Sequence, residues 1–210
     1  MLTLIKREIY DNMVYFIAAL ILSLMMIVIL ISISLIIDAK EMPNFTVVCL
    51  APVIIIFLLG LTGMGVSQMY TDRNRRISAY LSTLAVTRVQ IFIARIGAGI
   101  LAILLFIVPQ IITTSILYKL FMPSIQTFES IFFDIYTVAF LAALSFYCIG
   151  LQTGWTSSRL IPALGALPYV CIFATLIIVK GIGMQTLLLL ILFIAASLIR
   201  IRQNFISTPL

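Results

Sequence analysis

The sequence contains no histidine, and only 10% of its residues are charged. The absence of histidine excludes Ser–His nucleophilic pairs, HExxH zinc sites and most transition-metal sites. The low charge excludes a water-soluble domain, in which about a quarter of the residues are charged. Cysteine is also scarce, and Cys49, Cys148 and Cys171 each lie inside an apolar run. We interpret these three as packing residues rather than a disulfide framework.

Apolar residues fill the chain instead, at 63% of the sequence, with a mean hydropathy of +1.26. A transmembrane helix needs about 20 consecutive apolar residues. Six runs are long enough, at residues 13–37, 45–67, 90–118, 131–151, 160–179 and 183–199. We therefore predict an all-α integral membrane protein with six transmembrane helices in a single domain, residues 1–210.

Basic residues predict how this domain is oriented, because Lys and Arg near span ends stay on the cytoplasmic side. With the N-terminus inside, three of the 13 basic residues fall outside, at Lys40, Lys119 and Lys180. The other ten are then cytoplasmic, as are both termini. Scattered at helix ends, these residues form no continuous phosphate-binding face, which argues against a nucleic-acid partner.

Residues 1–12 precede the first span and place Leu2, Ile5 and Ile9 at helical spacing between polar residues. This pattern resembles a short helix that lies in the membrane interface. A plain positively charged anchor explains the same residues, and both interpretations stay open.

The connection between the second and third spans is the most informative segment. Ile77, Tyr80, Leu81 and Leu84 form one apolar stripe, which predicts an amphipathic helix over residues 72–84. The arginines at its N-terminal end interact unfavourably with the helix macrodipole and lower the stability of the helix. We therefore expect them to bind a negatively charged partner, either lipid phosphate or an acidic protein surface. The alternative is that they only fix the topology.

A new helix is predicted directly after this connection. Thr87 and Gln90 fit a capping box, in which each side chain bonds to the backbone of the other residue. We expect the helix to begin at Arg88 and to continue into the third span, with Arg95 snorkelling to the lipid headgroups.

Glycines indicate where helices pack closely. Gly60, Gly63 and Gly65 lie in the second span, and Gly150 and Gly154 form a GxxxG motif at the end of the fourth. Small residues at this spacing let helix backbones approach each other, within one chain or across a dimer. Catalytic motifs are missing by contrast: no P-loop occurs, and Asp134 is the only acidic residue inside a predicted span.

This order of elements resembles the permease subunits of ABC type-2 exporters. The resemblance is carried by Asp72, by the run from Tyr80 to Arg88, and by the run from Ile91 to Arg95. The short chain, together with residues 164–175 and 195–201, is also similar to the permease of the cytochrome c maturation haem exporter.

The resemblance implies that the helix over 72–84 is a coupling helix that docks on a separate ATPase subunit. The implied docking residues are Asp72, Arg73, Arg75, Arg76, Ile77, Tyr80, Leu81 and Leu84. ATP and Mg²⁺ would then be bound by the partner subunit, and this chain would bind no cofactor and would not be an enzyme. It would pair with a second copy or a related permease in a bacterial cytoplasmic membrane.

Two other classes of function compete with this interpretation. A membrane adaptor without transport activity would use the same basic helix to bind anionic lipid or to recruit a soluble protein. An integral-membrane enzyme is disfavoured, because the chain has neither histidine nor paired acidic residues within its spans.

Overall fold

A computed structural model describes residues 2–36, 42–75, 87–121, 128–154 and 184–207. Within these ranges the chain is helical throughout, apart from single residues at the joints. The six helices are α1 (Leu2–Asp11), α2 (Met13–Ile36), α3 (Met42–Arg75), α4 (Arg88–Phe121), α5 (Phe128–Thr153) and α6 (Met184–Ser207).

Five of the helices are long and apolar enough to cross a membrane. The candidate spans are Met13–Leu35, Leu50–Thr71, Val89–Leu117, Phe133–Thr153 and Met184–Gln203. Large apolar side chains such as Val14, Leu24 and Val28 are exposed on α2, as expected of a surface that faces lipid. The protein is thus an all-α membrane protein. The predicted span at 160–179 lies outside the described residues.

The bundle is built from pairwise helix contacts. Helix α3 packs on α5, α2 packs on α4, and α6 packs on α5, while further contacts join α2 to α3 and α4 to α5. Met64, Ile103, Tyr147 and Leu151 are fully buried between these helices. Burying such side chains away from lipid stabilises the bundle through close packing. The hydrophobic effect contributes little, because lipid tails are as apolar as the core.

Glycines bring the backbones of α3 and α5 into direct contact. A Cβ added at Gly65 would lie 2.7 Å from the Leu151 nitrogen, and a Cβ added at Gly154 would lie 2.7 Å from the Cβ of Met69. Gly150 lies equally tightly against the backbone of Thr62. A larger residue at any of these positions would push the two helices apart.

The other two glycines of the second span differ. A Cβ at Gly63 would make an ordinary contact with the Tyr15 ring at 3.6 Å, and a Cβ at Gly60 would have no described atom within 4 Å. Gly60 therefore makes no close helix contact within the described part of the chain. A contact of Gly60 with a second copy stays a prediction.

Helix α1 is a separate element that the turn at Asn12 divides from α2. The Asn12 side chain donates to the Glu8 carbonyl at 2.9 Å and closes the last turn of α1. Helix α1 then packs on the first turns of α4, where Ile5 lies beside Gly97. The prediction of an N-terminal helix is confirmed, and its location in the membrane interface stays a prediction.

Helix α4 begins as the sequence predicts. The Thr87 amide donates to Gln90 Oε1 at 3.1 Å, and the Gln90 amide donates to Thr87 Oγ1 at 3.3 Å, so the capping box is confirmed. The helix continues without interruption through Arg95. On the other side of the connection, residues 72–75 continue α3, and residues 76–84 of the predicted coupling helix lie outside the described residues.

Candidate functional site

Four helices converge on a buried charge at one end of the bundle. The start of α4, the end of α3, the end of α5 and the short helix α1 meet there, and we name this region the α1 end. Arg95 of α4 has a side chain that is only 3% exposed, and its Nε donates to Oε1 of Glu8 on α1 at 3.4 Å. Its Nη1 lies 3.7 Å from the sulfur of Met69 on α3.

The prediction that Arg95 snorkels to the lipid headgroups is therefore wrong. Snorkelling keeps a charge in contact with water when the protein offers no partner. Here α1 folds against α4 and brings a carboxylate to the guanidinium, so the charge is compensated inside the protein. A paired and hydrogen-bonded charge can stay buried where an isolated one cannot.

Tyr147 of α5 joins α3 to α4 in the same region. Its hydroxyl lies 2.6 Å from Oε1 of Gln68 on α3 and 2.9 Å from the Arg95 carbonyl oxygen. Gly99 of α4 leaves the space that the phenol ring occupies, because a Cβ at this position would overlap the ring. One side chain thus connects the ends of three helices.

A single phenol proton cannot be donated to two acceptors. A half-turn of the Gln68 amide resolves the conflict, since the NH₂ group then donates to Tyr147 and the phenol donates to the Arg95 carbonyl. In this arrangement the Gln68 carbonyl oxygen is the amide atom left over. In either orientation one amide atom of Gln68 is buried without a hydrogen-bond partner, and the side chain is only 4% exposed.

Gln68 lines a small polar cavity of about 40 Å³. Its other lining residues are Glu8, Asp11, Asn12, Ser67, Thr71 and Arg95. Every one of these side chains is polar or charged, which is unusual inside a chain of this composition. A buried amide with an unused hydrogen-bonding atom at such a cavity indicates a site for a polar occupant.

Electrostatics at the cavity centre on Glu8. Burial raises the pKa of Glu8 above its ordinary value of 4.5, and the nearby Asp11 raises it further, whereas the Arg95 guanidinium and Arg7 oppose the increase. Arg7 pairs with Asp11 at 3.7 Å on the exposed side of α1, where an ion pair contributes little to stability. Burial thus raises the pKa of Glu8 by more than the attraction to Arg95 lowers it.

A larger groove lies beside this cavity, on the other side of Ser67. Its volume is about 300 Å³, at the lower limit for small-molecule sites, and α2 and α3 form its walls. The lining residues are Tyr15, Leu59, Thr62, Gly63, Val66, Ser67 and Tyr70. The Tyr15 hydroxyl donates to the Gly63 carbonyl at 3.2 Å and holds the two helices together at this point.

The implied docking residues lie partly within the structure. Asp72, Arg73 and Arg75 belong to the last turn of α3, which leads out of the candidate span that ends at Thr71. The remainder, Arg76, Ile77, Tyr80, Leu81 and Leu84, lie outside the described residues. Of the glycines, Gly150 and Gly154 lie against α3, and Gly63 lies against α2.

Sequence reasoning missed Glu8, Gln68 and Tyr147. A usable signal existed for Glu8, because a charge inside a predicted span requires an opposite charge at the same depth. Arg95 lies near the start of its span, and Glu8 is an acidic residue shortly before the first span, on the same predicted side. Gln68 and Tyr147 offered no comparable signal.

Comparisons with known proteins identify no relative of this chain. The chain matches no family model, no curated protein and no solved structure.

Proposed function

We propose that the chain is the permease subunit of an ABC exporter, which couples ATP hydrolysis in a separate subunit to export of a substrate. In this proposal six spans cross a bacterial cytoplasmic membrane, the α1 end and both termini face the cytoplasm, and a second copy or related permease completes the pathway. The partner subunit binds ATP and Mg²⁺.

The observation that carries the proposal is that α3 and α4 are long helices fastened to each other at the α1 end. Both helices are continuous over 34 residues, about 51 Å each, whereas the hydrocarbon core is about 30 Å thick. The segment between them, residues 76–87, joins the two ends that Arg95, Met69 and Gln68 tie together. A force on this segment would therefore act on two long helices that are fastened to each other and to α5.

Charge at the end of α3 supports a docking role for the same segment. Asp72, Arg73 and Arg75 continue the helix beyond the candidate span, which ends at Thr71. Interfacial charge pairs of this kind set orientation and contribute to affinity. The groove between α2 and α3 is a candidate contact for substrate, because it combines apolar walls with hydroxyl groups.

The test is a charge reversal, Arg75→Glu with Arg76→Glu, in protein that is expressed together with an ABC ATPase subunit from the same organism. We expect the variant to stay in the membrane and to lose co-purification of the ATPase, since docking would now bring like charges together. The matched control is Arg200→Glu with Arg202→Glu, which makes the same charge change at exposed positions of α6.

The control should retain the ATPase. Full co-purification with the 75/76 variant would contradict the proposal. If the wild type binds no ATPase but binds vesicles that contain anionic lipid, and the 75/76 variant loses this binding, the membrane adaptor would replace the permease.

A further inference from the structure

The small polar cavity at the α1 end has a use that does not depend on the transport proposal. Its walls are formed by α1, the turn at Asn12, α3 and α4. Three features occur together there: a carboxylate with little exposure, a buried amide with a free hydrogen-bonding atom, and enough volume for ligands the size of water. We propose that this cavity is a hydrated proton-binding site in which Glu8 takes up the proton.

Volume and lining support the hydration. A cavity holds water when it has at least about 10–15 Å³ of space for the molecule and when its walls offer two to four polar partners. About 40 Å³ is available, which is room for about two or three molecules. Gln68 supplies an amide atom that no described residue uses, and the Ser67 and Thr71 hydroxyls supply further partners.

The hydrogen-bond chain fixes what Gln68 offers to the water. With the NH₂ group donating to Tyr147, the carbonyl oxygen is the free atom, and it accepts. The cavity is therefore rich in acceptors, since the carboxyl groups of Glu8 and Asp11 accept as well. Water and a carboxylic acid proton satisfy such a site because both donate hydrogen bonds.

The charges around the cavity disfavour a metal cation. The charged groups that face Glu8 within the described residues are Asp11 and Arg7 from α1 and Arg95 from α4, and α3 contributes neutral side chains. With Glu8 ionised, the two acidic and two basic groups cancel. A metal cation would meet the Arg95 guanidinium at short range, whereas a proton binds to Glu8 itself.

Proton uptake is coupled to the docking of α1. Because burial raises the pKa of Glu8 in the docked state, docked α1 holds the proton more tightly than undocked α1 does. Docking of α1 is therefore strongest below pH 4.5 and weakens as the pH rises through the raised pKa of Glu8. Above that pKa the carboxylate stays docked only at the cost of desolvation, partly offset by Arg95.

Two measurements on the full chain in detergent or lipid test the site. Transfer of magnetisation from water to side-chain amides by NMR should reach the Gln68 NH₂ group. Gln110 is the matched control: it is 1% exposed, has one unpartnered amide atom and lines neither the small polar cavity nor the groove between α2 and α3. Titration of the ¹³C-labelled Glu8 carboxyl should give a midpoint above 4.5, with the signal identified by its loss in Glu8→Gln.

Hydrogen exchange of the α1 amides measures the coupling. After correction for intrinsic base catalysis, exchange should accelerate with pH in the wild type, whereas Glu8→Gln should lack this additional dependence. A Gln68 side chain as isolated from water as Gln110 would overturn the proposal, and so would a Glu8 midpoint at or below 4.5. If Glu8→Gln fails to fold, the comparison of Gln68 with Gln110 in labelled wild-type protein still tests the proposal.

Discussion

Two small cavities of similar size lie in this bundle, and they differ in chemistry. The cavity at the α1 end measures about 40 Å³ and is lined by polar and charged side chains. A second cavity of about 30 Å³ lies between α2, α3 and α4 and is lined mainly by apolar side chains. Its lining residues are Tyr15, Ala18, Ala19, Leu22, Phe57, Gly60, Leu61, Met64 and Ala102.

Cavities of similar volume can differ in what they contain. Water needs polar partners, so the apolar cavity is expected to stay dry, and an empty cavity weakens the fold through lost contacts. The polar cavity is expected to hold water, which completes the hydrogen bonds of buried groups such as Gln68. The same gap between helices is therefore a packing defect in one place and a ligand site in the other.

The largest effect on stability is expected when the buried cation of the polar cavity, Arg95, is removed. Arg95→Met leaves the Glu8 carboxylate buried without the guanidinium, and removal of one partner of a buried ion pair costs about 3–5 kcal/mol. We expect a large fall in the thermal unfolding midpoint at neutral pH. Glu8→Gln should also lower the midpoint, because it leaves the Arg95 guanidinium buried without its carboxylate.

The double variant, Glu8→Gln with Arg95→Met, should recover most of the loss, since no buried charge remains. Lys119→Met is a matched control on the same helix, because Lys119 is exposed and its removal should change stability by less than about 0.5 kcal/mol. Equal losses from Arg95→Met and Lys119→Met would show that the buried pair contributes nothing specific.

An intermediate effect is expected where backbones touch beside the polar cavity. In Gly65→Ala the new methyl group would lie 2.7 Å from the Leu151 nitrogen and 2.8 Å from the Tyr147 carbonyl oxygen. Backbone atoms cannot move aside as a flexible side chain can, so α3 and α5 must separate. Overpacking of this kind costs about 1–3 kcal/mol, and the unfolding midpoint should fall accordingly.

Much of the fold could be predicted because membrane crossing imposes a strong local signal. Long apolar runs predict helices α2 to α6, since a lipid-exposed backbone must satisfy its own hydrogen bonds. The Thr87–Gln90 capping box marks the start of α4 by short-range chemistry alone. Features that depend on a few neighbouring residues are therefore visible in the sequence.

Apart from the signal for Glu8, the candidate site could not be predicted, because its parts are far apart in the chain. Glu8 and Arg95 are 87 residues apart, and Gln68 and Tyr147 are 79 residues apart. Arg95 by itself fits a snorkelling residue, and only the docking of α1 reverses that interpretation. Helical periodicity identifies the face on which a residue lies, but it does not identify which helix packs against that face.

The smallest effect on stability is expected for a substitution at the apolar cavity. Gly60 lines the apolar cavity, and a Cβ added there would meet no described atom within 4 Å. Gly60→Ala should therefore stabilise the protein by about 0.5–1 kcal/mol, because alanine loses less backbone entropy in a helix. Gly65→Ala is the same substitution five positions later on the same helix, with the opposite expected sign. The unfolding midpoint should rise for Gly60→Ala and fall for Gly65→Ala. A fall for both would mean that a partner outside the described residues occupies the space beside Gly60, which is where the dimer contact expected of this glycine would lie.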